Sequence, residues 1–459
     1  MSAQEVRRHF PDISMARWNC RTLLMLVSLF LTLSPTDIFA QLAGPGDPVR
    51  DENDGAAIEL LPAEPERSTL TLADLEGLAL SRNPSVGRAM ARVGAARGAA
   101  LQAGLPPNPS VGYEGQQIGS GGRAEQHGVS FGQEIVRGGK LRLSRQAASL
   151  EALRAEQELA AQTIRVRTDV RLAYMHVLIS QQVVDLSDRL VTVSRQGNEA
   201  VQALVDAQEA TRADLLQAQI EVENAEILAR NAKNRMGAAW QELQAVVGDT
   251  SLPRQKLSGQ VHDPPKEFTF DAALAALRTS SPEVAAASAE VARLQAAFER
   301  AIAEPTPNVS IQGLVNAVDN GIDGKPDGAV SVSVPIPVVN RNQGGIIKAR
   351  QELTAGRLAQ QRLDLSFQTR LAPVFERYSN ARNQVERYQS KILPAAQETL
   401  DLTRRAYQGG ETNFLSLLTA QRTYFQTNLN FLESLLELRN SEILMEGMLL
   451  NGSLVEQSP

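Results

Sequence analysis

One stretch of this sequence occurs twice, and that repetition constrains the fold more than any single motif. Leu70 to Gly115 reads LTLADLEGLALSRNPSVGRAMARVGAARGAALQAGLPPNPSVGYEG, and Phe268 to Gly313 reads FTFDAALAALRTSSPEVAAASAEVARLQAAFERAIAEPTPNVSIQG. They align without a gap, so Pro84 falls on Pro282, Pro107 on Pro305, Pro109 on Pro307 and Gly115 on Gly313. Further on, Glu209–Gln219 (EATRADLLQAQ) matches Glu411–Gln421 (ETNFLSLLTAQ). The duplicated unit is therefore about 200 residues, far longer than a solenoid repeat of 20–50.

Each copy has the same internal order. A helix, Thr71–Gln102 in the first copy, ends at the breaker Leu105-Pro-Pro-Asn-Pro109. Alternation then takes over. Val111, Tyr113 and Gly115 share one face, and Val129, Phe131 and Ile135 return after the turn Gly119–Arg123. In the second copy Val309, Ile311, Gly313 and Val315 lead out, and Val330, Val332, Val334 and Ile336 lead back with Ser331 and Ser333 opposite. Runs of ~9–11 alternating residues suit a membrane barrel strand, and equally a half-buried soluble hairpin.

After each hairpin comes a very long helix. Gly139 to about Asp206 contains no proline, which at 1.5 Å per residue is about 100 Å. The second copy, Gly345–Gln408, is interrupted by Pro373 and Pro394. Polar breaks at Ala207–Thr211 and Gly409–Asn413 lead to return helices over Ala213–Val247 and Phe414–Leu450. Helices this long must pack lengthwise, and a stripe such as Leu172, Val177, Leu178, Val184, Leu186 and Leu190 provides the seam. An aromatic content of only 4% fits helix-rich, coiled-coil-like segments.

The expected organisation follows. Residues 1–40 read as a signal peptide, with Arg17 and Arg21 before the apolar run Leu23–Leu33 and Ala40 at the cleavage point. Residues 41–69 read as an extended linker and 70–250 as the first repeat, with β-hairpin 108–136 and helical hairpin 139–247. An equatorial linker, 251–267, joins it to the second repeat, 268–450, with β-hairpin 307–338 and helical hairpin 344–450; 451–459 is a tail. The lone cysteine, Cys20, precedes the apolar run, so the mature chain holds no disulfide. After the signal no stretch reaches ~18 apolar residues, so any membrane insertion must use strands. Four strands are too few to close a barrel, for which ~8 is the practical minimum. Strand edges need closure in lipid, so several copies of the chain must contribute strands to one barrel.

From about residue 70 to 450 the chain resembles TolC-type outer membrane efflux proteins, and finer matches resemble the CzcC-like, heavy-metal branch. These are Gly104-Leu-Pro-Pro-Asn-Pro109, Gln133-Glu-Ile-Val-Arg-Gly-Gly-Lys140, Pro335-Ile-Pro-Val-Val-Asn-Arg-Asn-Gln-Gly344 and the segment Tyr407–Gln421. The resemblance implies a mostly α fold with a small membrane β-barrel portion. It implies a homotrimer with a twelve-stranded barrel in outer membrane lipid and a periplasmic α-helical tunnel. It further implies docking to a periplasmic adaptor and an inner-membrane pump of RND type, and passive export of divalent heavy-metal cations. Drug efflux, type I protein secretion and a secreted coiled-coil structural protein are the alternatives.

The resemblance places adaptor-contacting tips at Gln208, Thr211, Gly409, Gly410, Thr412 and Leu415, and gate candidates at Asp214 and Tyr407. The chain departs from the family pattern at Ala406, where Arg is common, at Gln208, where glycine is usual, and at Ser416 and Thr419, which replace carboxylates. Those replacements argue against an acidic ring on the second tip. Asp319, Asp323 and Asp327 superficially resemble a calcium loop but lack the distal Glu, and read as turn residues. His9, His127, His176 and His262 are scattered without zinc-ligand spacing. Neither a catalytic constellation nor a cofactor motif stands out, and a net charge of −6 without a basic stripe gives no nucleic-acid footprint.

Overall fold

A computed structural model describes residues 70–118, 122, 124, 126–259, 261–318 and 325–455. The expected signal peptide, the linker 41–69, Asp319, Asp323 and the last four tail residues lie outside the described residues.

Two short helices open each repeat where the sequence predicts one. In the first, α1 (Leu72–Arg82) is capped by Thr71, which exchanges hydrogen bonds with Asp74. Asn83 ends α1 and caps α2 (Pro84–Ala103), its side chain accepting from Ser85 N at 2.9 Å. Proline at the first helical position cannot donate the N–H that continuation of α1 requires, so the single expected helix is split here. The second repeat does the same at Ser281 and Pro282.

From α2 the chain enters β1 (Ser110–Gln116) and β2 (Gln126–Ile135), followed by α3 (Lys140–Asp206) and α4 (Arg212–Val247). The second repeat supplies α5 (Phe270–Ser280), α6 (Pro282–Ala303), β3 (Val309–Val318) and β4 (Asp327–Ser333). It continues with α7 (Gln343–Arg387), α8 (Leu393–Gln408) and α9 (Phe414–Glu446). The second hairpin is shorter than expected. β4 stops at Ser333, before Pro335 and Pro337, which cannot donate to a ladder, and Asp327 starts that strand rather than sitting in the loop.

The two prolines of the second long helix are handled differently. Pro373 stays inside α7. Before Pro394 the helix widens into a π turn, Tyr388–Ile392, closed by Leu393 N–H donating to the Tyr388 carbonyl. The extra residue accommodates the donor that Pro394 lacks, and α8 restarts with that proline in its first turn.

All four strands form one antiparallel sheet in the order β1-β2-β3-β4, with β2 joined to β3 across the repeats. The alternation expected from the sequence becomes two faces. Val111, Tyr113, Val129, Phe131, Val315, Val330 and Val332 are exposed on one. Ser110, Ser130, Gln312, Ser331 and Ser333 share the other through the pairs Ser110↔Gly132, Gly132↔Gln312 and Gln312↔Ser331.

The core lies where α3, α4, α7 and α9 cross the short helices. Val166, Val170, Val177, Leu243, Phe367, Leu371, Tyr378, Leu435 and Leu438 are buried there with Leu75 of α1 and Leu274 of α5. The described residues of the linker 251–267 pack against this core. Leu252, Leu257 and Val261 are buried, and the buried Arg439 donates to the Val261 carbonyl at 3.0 Å and to Glu442 at 2.7 Å. Glu442 in turn accepts from Lys266 N at 2.9 Å. Gly248 ends α4 with φ 79°, and a side chain there would meet the Arg82 backbone.

Candidate functional site

The tips of the two helical hairpins are built to one plan. After α3 the chain turns through Gln208 (φ 62°), with Glu209 N donating to the Leu204 carbonyl at 2.8 Å. After α8 it turns through Gly410 (φ 76°), with Glu411 N donating to the Ala406 carbonyl at 2.8 Å. Both are helix C-termini closed by a left-handed residue. Thr211 then caps α4 and Asn413 caps α9.

The two caps use different chemistry. Thr211 Oγ1 and Thr211 N both donate to Asp214 Oδ2, at 2.6 and 3.1 Å, and Asp214 N donates to Thr211 Oγ1. These hydrogen bonds hold the Asp214 carboxyl below the usual carboxylate range, the Thr211 hydroxyl contributing most. In the second tip Asn413 Oδ1 accepts from Ser416 N and Ser416 Oγ, both at 2.9 Å.

Of the two gate candidates, the Asp214 carboxylate is engaged by its own helix cap within the chain, and the Tyr407 ring is tilted against Phe414 at 6.1 Å between centroids. The two groups still sense each other. Burial, and secondarily the Asp214 charge, push the Tyr407 phenol above its ordinary range.

The remaining tip residues flank two grooves. Thr412 and Leu415 line a groove of about 1000 Å³ with Leu402, Glu411 and Thr419, along the exposed side of α8 and α9. Tyr407 lines a second, of about 900 Å³, between the two hairpins, with Asp188, Arg189, Asp401, Arg404 and Phe414. Gln208 and Gly409 remain in the exposed turns.

What joins one hairpin to the other lies further along the helices and was not expected from the sequence. Arg422 of α9 bonds Glu221 of α4, its Nε donating at 2.9 Å, and Glu221 is buried despite its charge. One turn on, Leu190 of α3, Ala225 of α4 and Phe425 of α9 form a small separate apolar cluster. Among the described residues, no three or more His, Cys, Asp or Glu side chains converge as metal ligands. No described helix is long and apolar enough to cross a membrane.

Comparison with known proteins matches the outer membrane efflux protein family over residues 75–249 and 273–449, one match per repeat. The cobalt-zinc-cadmium resistance protein CzcC of Cupriavidus metallidurans is 26% identical over 377 residues, covering 79% of this chain and 86% of that protein. The toluene efflux pump outer membrane protein TtgF of Pseudomonas putida is 23% identical over 373 residues, covering 79% of this chain and 75% of that protein. Among solved structures, the outer-membrane channel OprN superposes with a TM-score of 0.69 at 18% identity, covering 90% of this chain and 99% of that one.

Proposed function

The chain belongs to the outer membrane efflux protein family, and from that premise we propose that it is the exit duct of a tripartite efflux system carrying divalent heavy-metal cations. It is a passive channel rather than an enzyme. The energy comes from an inner-membrane pump, here taken to be RND type, reached through a periplasmic adaptor.

The observation that carries this reading is the pair of unpaired edges. β1 and β4 are the outer strands of the sheet, and an open edge is not tolerated in lipid. The helices below repeat the arrangement, with α2 beside α3, α3 beside α6 and α6 beside α7. α2 leaves Met90 and Leu101 exposed on one flank, and α7 leaves Ile347, Leu358 and Leu365 exposed on the other. An edge strand and an apolar helix seam on each flank fit head-to-tail rotation of identical copies, a heterologous contact that closes into a ring. Three copies would give twelve strands, with the apolar sheet face to outer membrane lipid and the serine-rich face inward.

The tip residues Gln208, Thr211, Gly409, Gly410, Thr412 and Leu415 are proposed as the adaptor-docking end. The metal cargo rests on similarity to CzcC. Outer membrane fractionation and migration of unheated protein as a trimer test the channel reading; a protein found only in the soluble periplasm would sink it. Deleting the gene should lower zinc, cobalt or cadmium tolerance. Unchanged metal tolerance with lowered solvent tolerance would move the cargo toward that of the toluene efflux relative.

A further inference from the structure

The duplication allows the same place in each repeat to be compared. α4 and α9 run unbroken from tips that match without a gap, so residues equally far from the tips correspond. Met236, Gly237 and Trp240 fall on Leu438, Arg439 and Glu442.

In the second repeat that place is filled. Arg439 and Glu442 are buried as an ion pair at 2.7 Å, and Arg439 Nε donates to the Val261 carbonyl of the linker at 3.0 Å. In the first repeat Gly237 takes the arginine's position. A groove of about 350 Å³ opens there between α3, α4 and residues 254–256 of the same linker.

Its walls are apolar, formed by Val177 and Val184 of α3 and by Met236 and Trp240 of α4. Trp240 is 3% exposed, and its Nε1 is buried without an acceptor among the described residues. The mouth is cationic. A Cβ on Gly237 would come within 3.9 Å of a guanidinium nitrogen of Arg254, so that side chain hangs over the glycine. Arg254 is exposed and makes no side-chain hydrogen bond or ion pair with any described residue. Lys256 and Asp185 stand together at the rim, 4.0 Å apart, so their charges offset and Arg254 is left uncompensated.

Such a slot sets two demands on an occupant. Apolar walls favour a ring or a short hydrocarbon body. A free guanidinium favours a planar carboxylate, which it can hold through two N–H donors. The volume is at the lower end of the roughly 300–1,000 Å³ typical of small-molecule pockets, which suits a small molecule better than a protein segment.

We propose that this groove binds a small amphipathic carboxylate, its apolar body against Met236, Trp240 and α3 and its carboxylate on Arg254. The occupant ties the linker to the first helical hairpin, as Arg439 and Glu442 tie it to the second.

The test uses the purified full chain in lipid nanodiscs. With Trp18→Phe in the background, Trp240 is the only indole, so its emission reads this groove alone. 4-Bromobenzoate, whose bromine quenches an indole on contact, should quench it saturably. 4-Bromobenzamide, the same body without the charge, should bind about tenfold more weakly, the worth of one charge-assisted hydrogen bond. Arg254→Gln should weaken the benzoate by a similar factor and leave the benzamide unchanged, whereas Gly237→Leu should abolish both. Quenching that rises in proportion to added benzoate without saturating, or that is equal in wild type and Arg254→Gln, overturns the site. Equal affinity for the two probes overturns the carboxylate class. Because Arg254 is exposed and unpaired, its variant decides the matter if Gly237→Leu fails to fold.

Discussion

Gln208 and Gly410 hold equivalent places in the two tips, both with positive φ, but only one is glycine. A side chain in the left-handed region costs roughly 1–2 kcal/mol, so Gln208→Gly should steady the first tip. Hydrogen exchange at Glu209 and Ala210, whose amides close the turn on the Leu204 carbonyl, should slow severalfold. The cap beside it is a second test. Thr211→Ala removes both the hydroxyl donor and acceptor and should cost about 1 kcal/mol of local stability, read by exchange in the first turn of α4. Its pH dependence follows from Asp214. The folded carboxyl titrates below its unfolded value of ~3.9. Its contribution is therefore present above that value and fades as pH falls through the folded one. Exchange protection of the tip should hold between pH 7 and 5, and loss already at pH 6 would contradict this account. At this scale the sequence was readable in its local grammar. Thr211-x-x-Asp214 is a capping pattern, and Gly409-Gly410 is a turn. What the pattern does not disclose is the surroundings of Tyr407, because its neighbour Phe414 and the charge of Asp214 come from opposite ends of the tips.

Between elements, the link that matters most joins residues too far apart for periodicity to connect. Glu221 and Arg422 are separated by 201 positions, and each reads in isolation as a solvated helix residue. Arg422→Ala would leave the buried Glu221 carboxylate without its partner, a loss of about 1–3 kcal/mol. The two hairpins should then separate more readily, measured as faster exchange in α4 and α9 near the Leu190–Phe425 cluster. Glu221→Gln, which keeps a hydrogen-bond acceptor, should be milder. If both variants match the wild type, the pair does not hold the hairpins together. Helix existence and length were legible from composition and the lack of proline. The breaks were legible only in part. Pro84 and Pro282 fall inside stretches that read as one helix, because a proline fits a first helical turn as well as it ends the helix before it, and Pro394 does not foretell the π turn ahead of it.

For the whole molecule, the flanks decide assembly. Leu358→Asp with Leu365→Asp would set charges into the α7 seam, and the unheated trimer should be lost in favour of monomer. Val330→Lys, on the exposed apolar face of β4, should impair barrel insertion, by about 2–4 kcal/mol if it reaches the bilayer midplane; a normal yield of trimer in the outer membrane would contradict the assignment of that face to lipid. Alternation told which strand residues share a face. It could not tell that β2 pairs with β3, because faces are periodic whereas partners are set by the fold of everything between. That pairing has a consequence in time. Ile135 and Val309 are neighbours in the sheet, yet the whole first helical hairpin and the α5–α6 pair lie between them in the chain. Closing so large a loop is slow unless the intervening helices have already drawn its ends together. The helices should therefore form first and the sheet last. A newly exported chain would wait with its greasy strands unpaired, which makes it a client for chaperones until other copies arrive.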